Sequence, residues 1–176
     1  MADDLGLAVI RIRRACAIDP ILLTGLGASL VDAIESGASV GFLAPLERDT
    51  AFRYWAQVSA SLGHGLVLWV AEEGREVVGS VQLALCEREN ARHRAEVQKL
   101  FVLRSARGIA SRSMETAEGH ARVAGRTLLV LDTQAGSAAE SVYDHLGWKR
   151  VGEVPAYAAA LDGALRATAY YYKELR

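Results

Sequence analysis

The sequence predicts a mixed α/β (α+β) fold, with a central sheet of about seven strands flanked by about four helices, in a single domain over residues 1–176. Three observations lead there. Hydrophobic periodicity switches between two and 3.6 residues in the order βααβββαβαββ, which suits a mixed sheet covered on both faces. Two short runs, Leu100–Leu103 and Thr127–Asp132, are apolar at nearly every position, as in strands with helices on either side. Hydrophobic residues make up 51% of the chain, enough for a sizeable core. A doubly wound dinucleotide fold would alternate strand and helix from the start. Its glycine fingerprint would fill the first strand–helix turn, where this chain has Ala17-Ile18-Asp19.

Each element has its own signal. Leu7–Ala15 alternates as a first strand. From Pro20 to about Gly37, Ile21, Leu22, Leu26, Leu30, Val31 and Ile34 recur at helical steps, and Gly37 is a stop. Gly41–Pro45 is a loop, and Leu46 to about Leu62 a second helix with Phe52, Trp55 and Val58 on one face. Leu66–Ala71 and Val77–Cys86 read as a hairpin about Glu73-Gly74-Arg75. Ala95–Leu103 is the next strand and Ile109–Ala124 the central helix, striped by Ala110, Met114, Ala117, Ala121 and Ala124. Thr127–Asp132 is a buried strand, and Ala138–Leu146 a short helix ended by Gly147. A strand from Lys149, a loop through Asp162-Gly163 and a last strand Thr168–Glu174 complete the chain.

The bulk numbers exclude several function classes. Net charge is −1, so no global field favours nucleic acid or an anionic membrane. Arg11, Arg13 and Arg14 read as a solvated strand end. Cys16 and Cys86 are too few for a disulfide scaffold, and their apolar neighbours predict small buried hydrophobes in a reducing compartment. The first ten residues are acidic and no apolar stretch approaches the roughly 20 residues of a membrane span, so the expectation is a cytoplasmic protein. His64, His93, His120 and His145 show no metal spacing, and His145 reads as surface. Trp55, Trp69 and Trp148 read as core.

Chemistry concentrates in three places. The loop Arg104–Gly108 supplies cations and free N–H groups in front of a helix opening at Ile109, an arrangement suited to an anion. Glu96 and Asp132 are carboxylates in otherwise apolar strands, costly there unless used or paired, for example with Arg92, Arg94 or Arg126. Tyr143, in SVYDHLGW, sits on the short helix beside Val142 and Leu146.

The loop and helix together resemble motif A of the GNAT acetyltransferases. The matching pieces run through the chain in order: SVGFLAPL at Ser39–Leu46, AEVQKLFVL at Ala95–Leu103, LVLDTQAGSAAESVY at Leu129–Tyr143, then GWKRVGEVPAYA and DGALRATAYYYKEL. Within the family the similarity is nearest to the subgroup typified by the tabtoxin resistance protein. It implies a GNAT fold with acetyl-CoA as cosubstrate, its pantetheine arm paired with backbone near Phe101, Val102 and Leu103. Its pyrophosphate would lie on Arg107, Gly108, Ile109, Ala110, Ser111 and Arg112. It also implies that Glu96 and Asp132 handle the amine proton and that Tyr143 protonates the leaving thiolate. The family pattern Q/R-x-x-G-x-G/A meets Ser105-Ala-Arg-Gly108-Ile-Ala110 here, with serine at its head and, by comparison, two residues missing between Gly108 and Ile109.

The expected activity is therefore transfer of an acetyl group from acetyl-CoA to the amine of a small, amino-acid-like molecule, an antibiotic or toxin among them. The expected assembly is a monomer or homodimer. The competing expectation is a binding module of the same fold whose short loop no longer holds acetyl-CoA tightly. A protein N-terminal or ribosomal acetyltransferase is a further rival.

Overall fold

The computed structural model describes residues 9–106 and 108–176. Its elements are β1 (Ile10–Ala15), α1 (Pro20–Glu35), α2 (Arg48–Ser61), β2 (Leu66–Glu73), β3 (Glu76–Leu85), β4 (Arg94–Val102), α3 (Ile109–Val123), β5 (Leu128–Gln134), α4 (Ala138–His145), β6 (Lys149–Ala159) and β7 (Leu165–Glu174). Short 3₁₀ turns fall at Glu89–Ala91 and Arg104–Ala106. The strands form one seven-stranded sheet in the order β1-β2-β3-β4-β5-β7-β6. All neighbours are antiparallel except β4 and β5, which run parallel.

Strand β2 shows why the sheet is a central layer. Val67 and Trp69 point into the cluster with Met114, Ala117 and Ala121 of α3, while Leu68 and Val70 point into the cluster with Leu26, Leu30 and Trp55 of α1 and α2. Both sets are at most 5% exposed, so period-two alternation serves two cores rather than a core and solvent. All three tryptophans are buried, as the sequence predicts.

Local chemistry sets the helix ends. Asp19 caps α1 by accepting from the Leu22 N–H at 2.8 Å, with Pro20 in the first turn, where its missing N–H costs nothing. In α3, Ile109, Ser113, Met114, Ala117, Glu118 and Ala121 form the buried stripe. Glu118 is buried there because Trp148 Nε1 donates to it at 2.9 Å and Lys173 Nζ at 2.7 Å, tying α3 to β7.

Several expectations need correction. Cys16 is exposed and Cys86 only half-buried. Each follows the last residue of a strand, where the chain leaves the sheet and neither apolar layer reaches. Arg13 is not merely solvated: its guanidinium makes a two-pronged contact with Glu72 at 2.7 and 2.8 Å. Strand β7 begins at Leu165, three residues before the expected Thr168, because its first turn pairs with β6 in an exposed ribbon that lacks apolar alternation. Leu7 and Ala8, the expected start of β1, lie outside the described residues.

Candidate active site

The site begins as a fault in the sheet. Strand β4 is paired with β3 from Ala95 to Val102, but with β5 only through Arg94, Ala95 and Glu96 against Leu128, Leu129 and Val130. Beyond those residues the two parallel strands part. A bulge lies at the parting point. Ser80 of β3 faces Phe101 while Gln82 faces Gln98, so two residues of β4, Lys99 and Leu100, oppose Val81 alone. Lys99 takes φ = 50°, in the left-handed region, and an extra residue of this kind bends its strand.

The parting opens a cavity of about 810 Å³. Its walls are the free edge of β4, the end of β5 from Asp132 to Gln134, the start of α4 together with Tyr143 in its last turn, the loop Ser36–Leu43 between α1 and α2, and Tyr157–Ala159 of β6. Glu96, Asp132 and Tyr143, far apart in sequence, share this one chamber.

Glu96 is half-buried and accepts a hydrogen bond from Gln98 Nε2 at 2.9 Å. Asp132 is open to the cavity, yet the surrounding walls remove enough water to push its carboxyl above the ordinary range. The Glu96 charge adds to that rise and Lys99 opposes it. Neither carboxylate has an arginine partner among the described residues. Arg94 and Arg126, two of the partners considered from the sequence, instead approach Cys86.

Tyr143 is 6% exposed, with its ring against Trp148 and Tyr171 at centroid distances of 6.2 and 5.6 Å. Burial, then Asp132 and Tyr171, push its phenol up to about 12. Helix α4 is held by Glu140, which accepts from the Gly136 N–H and from the Tyr171 hydroxyl and so fixes the turn from which Tyr143 projects. Packing and a cavity-facing position therefore coexist at Tyr143.

The backbone near the bulge divides its duties. The Leu103 N–H donates to Val78 O at 2.8 Å and its C=O accepts from the Ala106 N–H at 2.9 Å, so both groups are used within the protein. The Phe101 carbonyl lies against Gly79 of β3, where an added Cβ would meet it at 2.8 Å. Alternation turns the backbone of Val102 the other way, toward β5, where no strand pairs with it. The Phe101 side chain is core.

Helix α3 starts at Ile109 behind Gly108, whose φ of 89° suits glycine, and among the described residues no side-chain cap is made at its start. Ile109 is buried, while Ala110 and Ser111 are half-buried. Arg112 is exposed and borders a second, open groove with Val9–Ile12, Glu115 and Thr116. Arg107 lies outside the described residues.

Three cavity features and one contact outside its lining escaped the sequence reading. Lys99 lines the chamber and donates to Val40 O at 2.8 Å, with burial lowering its ammonium and Asp132 and Glu96 acting in the opposite sense. Gln98 orients Glu96. Gln82 Nε2 donates to the Tyr54 hydroxyl at 2.8 Å, beneath the loop. Tyr157 is turned in by a second bulge, between Val154 and Ala158, and packs edge-on to Tyr170. A lone cation inside VQKLFVL was the one signal available for Lys99. The others depend on register between strands.

The seven-stranded sheet thus parts at its parallel pair, with two carboxylates and a tyrosine lining the opening. The chain belongs to the Acetyltransferase (GNAT) family, whose sequence profile matches residues 28–148. Solved structures share the fold. One is yncA from Salmonella typhimurium, solved with its cofactor acetyl-CoA, at 17% identity over 95% of this chain and 94% of that one, TM-score 0.74. Another is the ribosomal-protein-alanine N-acetyltransferase of Brucella melitensis, at 22% identity over 94% and 99%, TM-score 0.74. A third, assigned as a phosphinothricin N-acetyltransferase, has 18% identity over 96% and 99%, TM-score 0.74. The fold class expected from the sequence is thereby established. Among the described residues, no helix is long and apolar enough to cross a membrane.

Proposed function

We propose that the chain, as one acetyltransferase domain over residues 1–176, transfers the acetyl group of acetyl-CoA to the nitrogen of a small-molecule amine. The carrying observation is the parted β4–β5 pair, whose unpaired edges border one chamber holding Glu96, Asp132 and Tyr143. Free strand edges suit an amide-bearing arm that adds like another strand, and Val102 is the edge residue whose backbone is turned that way. The uncapped start of α3, with Gly108, Ile109, Ala110, Ser111, Arg107 and Arg112, is the proposed seat of the pyrophosphate. The yncA complex supports acetyl-CoA as the donor.

In the reaction the unprotonated amine attacks the thioester carbonyl and the C–S bond breaks. The amine proton passes to Asp132 or Glu96. Asp132 has the carboxyl held above its ordinary range, which brings a carboxylate base closer to neutral pH. Tyr143 directs its O–H at the departing thiolate.

A chamber of about 810 Å³ falls within the size of small-ligand sites and supports a small acceptor over a folded one. The relative assigned as a phosphinothricin N-acetyltransferase supports an amino-acid-like amine. We assign the chain to the tabtoxin resistance subgroup on the segments that match it, with an antibiotic or toxin as acceptor and the cytoplasm as its compartment. We further propose that the β4–α3 loop is two residues shorter than the family pattern and that this limits donor affinity.

Calorimetric titration of acetyl-CoA, followed by an amine panel scored for thiol release and for N-acetyl product by mass spectrometry, tests the reading. Micromolar or tighter donor binding with amine-dependent thiol release is the expected result. Donor binding without transfer to any amine would leave a binding module in its place.

A further inference from the structure

We propose that Lys99 receives a carboxylate of the acceptor, so that the substrate class is an amine that also bears a carboxylate. This rests on the acetyltransferase reading and deepens it. Lys99 shares the chamber with Glu96 and Asp132, but no ion pair joins it to either among the described residues. An ammonium has three donors, and the one hydrogen bond recorded for Lys99 Nζ goes to Val40 O.

Its surroundings are those of a built site. The Phe42 and Tyr54 rings stand 5.7 and 6.0 Å from Nζ, giving a cation an aromatic wall and little water. Gly41 permits the approach: a Cβ there would lie 2.8 Å from Nζ. The residue is presented by a bulge at positive φ, a conformation that a lysine adopts only where the surroundings hold it.

The unused donors of Lys99 decide the class of ligand. The acidic pair attracts the acceptor's ammonium before it loses its proton. An acceptor with no anionic group would engage the carboxylates alone and leave the remaining donors of Lys99 unanswered. A zwitterion presents opposite charge to both walls at once. The competing role for Lys99 is a tether for the α1–α2 loop. Arg104 already grips that loop, donating to Ser36 O at 3.1 Å, so tethering alone does not call for a second cation inside the cavity.

The test uses matched pairs that differ by one carboxylate: L-phenylalanine with phenethylamine, L-leucine with isoamylamine, and L-lysine with cadaverine. Each is titrated into the full chain with acetyl-CoA present, and thiol release is recorded in parallel. At least one amino acid should bind tenfold or more tighter than its decarboxylated partner. Lys99→Met should reduce that ratio at least tenfold, and Lys99→Arg should keep most of it. Equal weakening of both members of a pair in Lys99→Met would make Lys99 a loop tether and overturn the proposal. A wild-type chain that binds no amino acid better than its amine would also overturn it, and needs no variant to fold. Turnover of amines without preference for carboxylates removes this inference alone, whereas absence of thiol release with every acceptor removes the acetyltransferase reading.

Discussion

Replacing Tyr143 with phenylalanine separates its packing from its chemistry. The ring contacts with Trp148 and Tyr171 survive, and the hydroxyl has no protein hydrogen bond among the described residues, so the fold should lose less than about 0.5 kcal/mol. The rate effect can be bounded. A phenol pushed up to about 12 is a weaker acid than a thiol of pKa about 8.5, so complete transfer to a free thiolate runs uphill by about 5 kcal/mol. The hydroxyl therefore acts chiefly by donating a hydrogen bond to charge as it develops on sulfur. Such a bond contributes about 1.5–3 kcal/mol, or about 10- to 150-fold in rate. Steady-state thiol release should show kcat down by that factor, with acetyl-CoA affinity from calorimetry within about twofold. Because the phenol keeps its proton to about pH 12, its ionisation should impose no fall in rate below pH 10. A kcat within twofold of wild type would refute the role. So would a loss matched by an equal drop in thermal stability, since that would trace the effect to packing.

Three further outcomes follow from the same geometry. Glu118→Ala strips both Trp148 Nε1 and Lys173 Nζ of a buried partner, and thermal denaturation should show a loss of about 3–5 kcal/mol. Glu96→Gln removes a charge that raises the Asp132 carboxyl, so carbon-detected NMR titration should find Asp132 moved down, and Lys99→Met should move it up; no change in either variant would separate the three groups electrostatically. Inserting Arg-Gly between Gly108 and Ile109 should tighten acetyl-CoA at least tenfold, which takes about 1.4 kcal/mol, less than one charge-assisted hydrogen bond commonly supplies. Equal affinity before and after insertion would show the loop works at its present length.

What could be read from the residues had a local cause. Helix α3 announced itself by a stripe of small and apolar residues, and β5 by an apolar run too short for a helix. Glu96 and Asp132 stood out because carboxylates are costly in such strands, and both line the chamber. What escaped depends on partners distant in sequence. The bulge at Lys99 exists only relative to the register of β3, so no window of β4 alone discloses it. Tyr157 enters the cavity through a similar shift between β6 and β7. The cysteines were misjudged for a related reason: apolar neighbours in sequence imply burial only where a layer lies above them, and both sit just past a strand end.

The parted strands also bear on how the molecule melts. With three register pairs joining β4 to β5, the sheet is two plates, β1 to β4 and β5 to β6, hinged at one end. Backbone amides along the opening should exchange with solvent faster than those in the paired ladders on either side. An amide-bearing arm bonded to both edges would close the opening and slow exchange on the two plates together. Occupancy would then act on cooperativity as well as affinity, turning a sheet able to loosen in halves into one that unfolds as a unit.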